Sequence, residues 1–182
     1  MNENDNNPVR SAGIRALIAR IDAFSESVGR GVAYLVPAMA VVTFLIVVLR
    51  YLFNLGWVWM QEAVLYMHAA FFMLAMGYTL HREGHVRVDI FFQDLSPRRK
   101  ALVDFWGTLL LLYPVCLLLV VFGFGYVLDS WSRLESSPEA GGLPFVFALK
   151  SLILCMPLLL ALQGTSRMLS AFLALREGAK DD

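Results

Sequence analysis

The sequence predicts an all-α integral membrane protein with four transmembrane helices. Hydrophobic residues make up 58% of the 182-residue chain, charged residues make up only 16%, and the mean hydropathy is +0.63. A soluble domain of this length has too small an interior to bury so many apolar side chains. The chain also contains four apolar runs, each long enough to cross about 30 Å of hydrocarbon as a helix with its backbone hydrogen bonds satisfied internally.

The four predicted spans make up a single membrane domain, residues 30–170. They cover about residues 31–53, 58–80, 101–128 and 144–166. Pro37, Pro114 and Pro157 fall inside spans, where each removes one backbone hydrogen bond and is expected to bend its helix.

The first 29 residues are predicted to form an arm at the membrane surface. Ile14–Arg30 has apolar residues at helical spacing with arginines between them, a pattern typical of an amphipathic helix in the interface. The apolar run that follows is too long for a signal-peptide core, so we expect a retained first span. Residues 171–182 are predicted to be a cytoplasmic tail.

The loop charges predict the orientation. The arm, the connection between spans two and three and the tail hold most of the lysines and arginines, whereas the turn "NLGW" holds none. The connection between spans three and four holds Arg133 against Asp129, Glu135 and Glu139. Because basic loops remain in the cytoplasm, both termini are predicted to be cytoplasmic.

Two charged residues in the stretch "LRYLFNLGWVWMQEAVLY" require an explanation. Arg50 and Glu62 lie on either side of the turn at Asn54–Gly56, at similar predicted depth. A charge near mid-bilayer costs roughly 2.5–3.5 kcal/mol on insertion scales, and pairing would offset much of that cost. Three interpretations remain open: an ion pair across the hairpin, an arginine that reaches the headgroups, or contact with a partner subunit.

The connection "HREGHVRVDIFFQDLSPRRK" is predicted to be an interfacial segment between the second and third helices. His85 and Asp89 are four residues apart and could share a helix face. Two ligands do not close a metal site, so local hydrogen bonding that fixes the loop is favoured over metal binding.

Other polar residues in the spans have structural interpretations. His68 is the only histidine in the middle of a span, and a haem ligand normally needs a second histidine at matching depth. Lys150 is expected to reach outward to the headgroups or to meet an acidic residue of the preceding loop. Cys116 and Cys155 lie inside apolar runs and are interpreted as packing residues.

The sequence contains no motif of an enzyme. It has no glycine-rich phosphate loop, no HExxH and no nucleophile with a base at suitable spacing, and no cofactor is expected. A basic and aromatic strip for nucleic acid is also missing. Few polar groups fall at the predicted bilayer midplane, where transporters place their substrate sites. This pattern favours an accessory membrane subunit.

Several short motifs, in order, resemble one known family. They are "RYLFN", "WMQEA", "GYTLHREGHVRVDIF" and "SSPEAGGLPFVFALKSLILCMPLLLALQG". Together they resemble the small (DctQ-like) membrane subunit of tripartite ATP-independent periplasmic (TRAP) transporters, over roughly residues 30–170. The stretch "SPEAGGLP" followed by Lys150 resembles the branch labelled mannitol/chloroaromatic or 2-oxo acid type.

The resemblance implies a bacterial inner-membrane scaffold. Such a subunit packs against a large elevator-type membrane subunit that couples solute uptake to sodium, and a periplasmic binding protein delivers an organic acid. Residues expected to fix helix packing or subunit contact are Arg50, Trp59, Glu62, Gly77, His85, Asp89 and Lys150. Residues that could meet the periplasmic protein are Asn54, Trp57, Arg133, Glu135 and Glu139. The alternative hypothesis is a haem-carrying four-helix anchor of a redox complex.

Overall fold

The protein is a bundle of long helices in a computed structural model that describes residues 6–84 and 95–178. The helices are α1 (Asn6–Ala33), α2 (Leu35–Phe53), α3 (Val58–Leu74), α4 (Met76–His81), α5 (Pro97–Gly107), α6 (Tyr113–Ser132) and α7 (Val146–Gly178). A π-helical segment, Thr108–Leu112, joins α5 to α6.

The described helices give four stretches that are long and apolar enough to cross a membrane. They are Ser11–Phe53, Val58–His81, Pro97–Ser132 and Val146–Arg176. The described residues contain no β-strand. The predicted all-α class with four membrane-spanning helices is therefore confirmed, while the cytoplasmic location of both termini stays a prediction.

Proline explains where the first long helix is interrupted. Pro37 has no N–H to donate to the carbonyl of Ala33, four residues earlier, and its ring would clash with that carbonyl. Accordingly α1 ends at Ala33, Tyr34 forms a turn, and α2 begins at Leu35. The predicted surface arm is thus a helix that continues into the first span after one turn.

A second proline coincides with the π-helical segment. Pro114 cannot donate to the carbonyl of Leu110, so the regular hydrogen-bond ladder cannot continue through this point. The helix instead widens, and its hydrogen bonds join residues five positions apart rather than four: the N–H of Tyr113 donates to the carbonyl of Thr108. Such π-helical turns interrupt α-helices and often occur at functional positions.

Helix α7 lies at the centre of the bundle. It packs against α1, α3 and α4 on one side and against α5, the π-helical segment and α6 on the other. Helix α2 packs mainly against α3 and α1 and has no buried residue. Helix α2 is therefore peripheral, whereas α7 is in contact with nearly all the other helices.

The bundle has two ends, a basal side and an apical side. The basal side holds Asp22, His81 and Arg167, and the apical side holds Glu62 and Glu135.

Gly77 of α4 is buried nearer the basal side, and a Cβ atom added there would lie 3.1 Å from the backbone oxygen of Leu159 in α7. This close approach of two helix backbones requires a residue without a side chain.

Candidate functional site at the two ends of the bundle

On the apical side, Glu62 ties α3 to the loop between α6 and α7. Its Oε2 atom accepts a hydrogen bond of 2.6 Å from the backbone N–H of Leu143. Its Oε1 atom accepts another from the hydroxyl of Ser137. Both donors are distant in sequence, so a single carboxylate holds the loop against the end of the second span. Hydrogen bonds to an ionised acceptor are about twice as strong as neutral ones.

The loop has internal hydrogen bonds that present both donors to Glu62. Ser137 N–H donates to the carbonyl of Leu143 at 3.1 Å, and Gly142 N–H donates to the carbonyl of Glu139 at 3.0 Å. A Cβ atom added to Gly142 would lie 2.8 Å from Oε1 of Glu62 and 2.6 Å from Cβ of Ser137. The glycine in "EAGGLP" is therefore needed for the loop to approach the carboxylate.

Arg50 is not the partner of Glu62. Arg50 is exposed in the last turn of α2, and no ion pair joins it to Glu62 within the described residues. The hypothesis of a pair across the hairpin assumed that similar depth implies proximity. Depth does not determine which way a side chain points, and Glu62 points toward the loop while Arg50 lies on the surface of the peripheral helix.

Lys150 contributes a second link between the loop and α7. Its Nζ atom lies 2.5 Å from Oε2 of Glu135, one of the acidic residues considered as its partner, and 4.0 Å from the centre of the Tyr126 ring. The hydrogen bond from Lys150 holds the pKa of Glu135 below its usual range. Burial of the lysine side chain, which is only 15% exposed, makes this pair stronger than a fully solvated one.

Aromatic packing and an ion pair complete the apical side. The indole N–H of Trp131 donates to the hydroxyl of Ser151 at 2.8 Å, and its ring meets that of Phe147 edge-on at 4.7 Å. Arg133 pairs with Asp129, one turn earlier, at 2.8 Å. Trp131 thus joins α6 to α7 close to the loop that Glu62 holds.

Other residues expected to meet a partner lie on the apical surface. Asn54 adopts a left-handed conformation (φ 54°) that ends α2. Trp57 and Trp59 are exposed beside it, and Glu139 is exposed at the tip of the loop. These positions leave the side chains available for contact with another protein.

The basal side holds a polar cluster between α1 and α7. Asp22 accepts hydrogen bonds from the side-chain amide of Gln163 at 2.8 Å and from the hydroxyl of Ser166 at 2.7 Å. The hydroxyl of Ser25 donates to the carbonyl oxygen of the same glutamine at 2.6 Å. Gln163 is only 3% exposed and Ser166 only 2%, so this network replaces the water that these groups would otherwise require.

Ionic contacts extend this cluster. Nδ1 of His81 lies 3.4 Å from Asp22. Glu26 binds Arg82 at 2.6 Å, and this bond raises the pKa of the arginine further. Arg167 of α7 reaches Asp104 of α5 at 3.2 Å. The basal side is therefore joined by contacts between α1, α4, α5 and α7.

The basal cluster was not predicted from the sequence. A signal was present: Gln163 and Ser166 are three residues apart in the otherwise apolar run of the fourth span, and Asp22 and Ser25 are three residues apart in the arm. Residues at that spacing share a helix face. Two matching polar pairs, each predicted near the same membrane surface, would have indicated contact between those faces.

Some predicted positions cannot be placed. His85 and Asp89 lie outside the described residues, as does most of the predicted interfacial segment. Among the described residues no group of three potential metal ligands occurs. His68 is exposed on α3, whereas His81 contacts Asp22 at the basal side, so these two histidines do not form an axial pair for haem.

Comparison with known proteins agrees with this architecture. The family described as "Tripartite ATP-independent periplasmic transporters, DctQ component" matches residues 39–174. A protein of Vibrio cholerae, "C4-dicarboxylate TRAP transporter small permease protein DctQ", is 29% identical over 82 residues, which cover 44% of this chain and 35% of that relative. The chain thus aligns with about a third of the relative's length. No solved structure matches. Because the family match covers most of the sequence, the chain belongs to the DctQ component family of TRAP transporters, a transporter component rather than an enzyme.

Proposed function

We propose that this chain is the scaffold subunit of a TRAP-type secondary transporter in a bacterial inner membrane. In this role it packs against a large elevator-type subunit and enlarges the static part of the complex. The large subunit carries an organic acid across the membrane with sodium, after a periplasmic binding protein has delivered it.

The distribution of polar groups supports a scaffold rather than a solute path. The ion pairs that join two described residues lie at the basal or the apical side. A path for a carboxylate through the bilayer requires polar or cationic groups near the midplane. This distribution is the observation on which the proposal chiefly rests.

Helix α2 supplies a surface suited to a membrane partner. None of its residues is buried within the chain, and its large apolar side chains Val41, Phe44, Leu45 and Val47 are all exposed. Lipid or another transmembrane protein can cover such a face. In a scaffold subunit, the peripheral helix is available for the large subunit while α7 maintains the bundle.

The apical loop is suited to meet the periplasmic binding protein. It is held directly by Glu62 and by Lys150, and the contact between Trp131 and Ser151 joins the two helices that flank it. A loop that is ordered before binding loses less conformational entropy when a partner docks. The exposed Arg133 and Glu139 then present charges of both signs on an ordered surface.

The proposal is tested by reconstitution of the complex. The chain, a candidate large subunit and a binding protein are co-expressed, purified through a tag on this chain, and placed in proteoliposomes with a sodium gradient. We expect the large subunit to co-purify, and uptake of a carboxylate to require all three proteins. Uptake by this chain alone, or undiminished uptake without it, would contradict the proposal.

A visible spectrum tests the alternative. Purified chain without a Soret band is expected for the transporter subunit, whereas a stoichiometric haem would favour the redox anchor. The exposed position of His68 and the separate contacts of His81 favour the first result.

A further inference from the structure

Helix α1 has an inverted distribution of polar and apolar side chains. Toward the bundle it presents Asp22, Ser25 and Glu26, which bond to side chains of α7 and of the end of α4. Away from the bundle it presents Leu17 and Phe24, which are 47% and 48% exposed. A helix with protein on one side and water on the other usually has the opposite pattern. The outer face of α1 is therefore suited to lipid rather than to water.

The charges of α1 follow the same pattern. Among residues 11–33, both acidic side chains face the bundle, whereas the exposed charged residues are all arginines. Arg20 lies one turn from both Leu17 and Phe24, and its side chain pairs with no other described residue. A surface that combines apolar side chains with arginine is typical of contact with phospholipid headgroups.

The depth of α1 follows from its contact with α4. Helices α3 and α4 together cover Val58–His81, 24 residues, which is about 35 Å at roughly 1.5 Å per residue. The hydrocarbon core is about 30 Å thick, and the tryptophans Trp57 and Trp59 favour the interface at the start of this span. His81 then lies just beyond the hydrocarbon on the basal side. Asp22 is 3.4 Å from His81, so it lies at the level of the headgroups.

The outer residues of α1 can be placed relative to Asp22. Arg20 comes two residues before it and Phe24 two residues after it, so each is about 3 Å away along the helix axis. Helix α1 continues past Tyr34 into the first span, which puts Phe24 on the hydrocarbon side and Arg20 on the water side. An aromatic ring at the edge of the hydrocarbon and a guanidinium among phosphates are favourable positions for both groups.

We propose that the outer face of α1, formed by Leu17, Arg20 and Phe24, is a contact surface for the bilayer itself. Phe24 lies at the boundary of the acyl chains, and Arg20 binds the phosphate of a phospholipid. The arm therefore does not lie flat on the membrane surface. It crosses the basal headgroup layer beside α4 and α7, with its polar side toward them. This contact depends neither on the proposed scaffold role nor on which side of the membrane is cytoplasmic.

Two glycines of α1 provide a matched test of this depth. Gly13 and Gly31 are eighteen residues apart, which is five turns, so they share one helix face. Both are exposed, and a Cβ atom added at either position meets nothing within 4 Å. A cysteine at either position can therefore carry a nitroxide label without a clash. The two positions are about 27 Å apart along the helix axis, so only Gly31 is expected to lie in the hydrocarbon.

Electron paramagnetic resonance measures the depth of each label in the full-length chain, reconstituted in vesicles of phosphatidylethanolamine and phosphatidylglycerol. Gly13→Cys, Phe24→Cys and Gly31→Cys are labelled in a background in which Cys116 and Cys155 are replaced by alanine. We expect accessibility to oxygen to rise, and accessibility to a water-soluble nickel reagent to fall, from Gly13 through Phe24 to Gly31. Accessibility to the nickel reagent at all three positions would place the face in water. Low accessibility to both reagents at Phe24 and Gly31 would show that protein covers the face. Either result would overturn the proposal.

The contact of Arg20 with phosphate is tested separately, with both native cysteines retained. A maltoside detergent contains no phosphate, so the Tm in detergent is the control for the Tm in the same phospholipid vesicles. We expect Arg20→Gln to lower the Tm by about 2–4 °C in vesicles and to leave it unchanged in detergent. Arg20→Lys should keep most of the value in vesicles because it retains the charge. An equal change in both media, or no change in either, would overturn the phosphate contact.

Discussion

Replacing Glu62 with glutamine tests whether this carboxylate organises the apical side. The change keeps the size of the side chain but removes its charge and one of its two acceptor oxygens. The N–H of Leu143 and the hydroxyl of Ser137 then compete for a single neutral carbonyl, unless the serine hydroxyl rotates to accept from the new amide. We expect the loop to loosen while the four spans remain folded.

The magnitude follows from the two lost charge-assisted bonds. Hydrogen bonds to charged groups contribute roughly 1.5–3 kcal/mol each, and the glutamine retains part of that. Because the site is only partly buried, we expect a loss of about 1–2 kcal/mol in the free energy of unfolding. For a chain of this length that corresponds to a decrease of about 2–8 °C in Tm.

Two measurements on full-length protein in detergent test this expectation. Tryptophan fluorescence gives the Tm, and the rate of thiol labelling at an introduced Ala140→Cys reports loop opening. Glu139→Gln is the matched control, because that side chain is exposed on the same loop. Glu139→Gln is expected to change neither the Tm nor the labelling rate. If Glu62→Gln also changes neither quantity, the role assigned to Glu62 is incorrect.

A double-mutant cycle with Arg50→Gln distinguishes the observed arrangement of Glu62 from an ion pair between Arg50 and Glu62 across the hairpin. The structure predicts additive effects of Glu62→Gln and Arg50→Gln, within about 0.5 kcal/mol, because the two residues share no partner. A coupling energy above about 1 kcal/mol would indicate that Arg50 and Glu62 do form an ion pair.

Three further outcomes follow from the packing and the charges. Gly77→Ala should lower the Tm of the purified chain by several degrees. The new methyl group would lie 3.1 Å from a backbone oxygen of α7, and a backbone atom cannot move aside as a side chain can. An unchanged Tm would contradict the close approach of the two helices. Asp22→Ala should destabilise the chain by about 2–4 kcal/mol, because it leaves a buried amide and a buried hydroxyl without their acceptor; Asp22→Asn should restore part of that loss in the same unfolding assay. The pKa of Glu135 lies below its ordinary value of 4.5 in the folded chain. Its contribution to the free energy of unfolding is therefore complete above pH 4.5 and is lost as the pH falls through the lowered pKa. Lys150→Met should weaken this pH dependence of unfolding below pH 4.5.

The four spans could be predicted because the signal is repeated over many residues. Each span needs only an uninterrupted apolar run of sufficient length, and no single residue decides the result. The interruptions near Pro37 and Pro114 were also accessible, since each proline lacks the N–H that the ladder needs, although α7 continues as one helix through Pro157. The particular form of the second perturbation, a π-helical segment before Pro114, was not evident from the sequence.

The partners of individual charges could not be predicted in the same way. Position along a span gives the depth of a residue, but a contact also depends on the direction of the side chain around the helix axis. Glu62 and Arg50 have similar predicted depths and yet do not form an ion pair, whereas Lys150 of α7 pairs with Glu135 of the preceding loop. The basal cluster was missed because its central residue, Gln163, is uncharged and contributes little to the charge patterns that predict orientation.

The central position of α7 affects how the chain is made. This helix is the last of the four spans to be synthesised, and it is the packing partner of α1, α3, α4, α5 and α6. The earlier spans therefore enter the membrane before the helix that joins them has left the ribosome. A nascent chain that stops short of α7 leaves Asp22 and Ser25 without the side chains that complete their hydrogen bonds, so the polar face of α1 is satisfied only when the last span has been added.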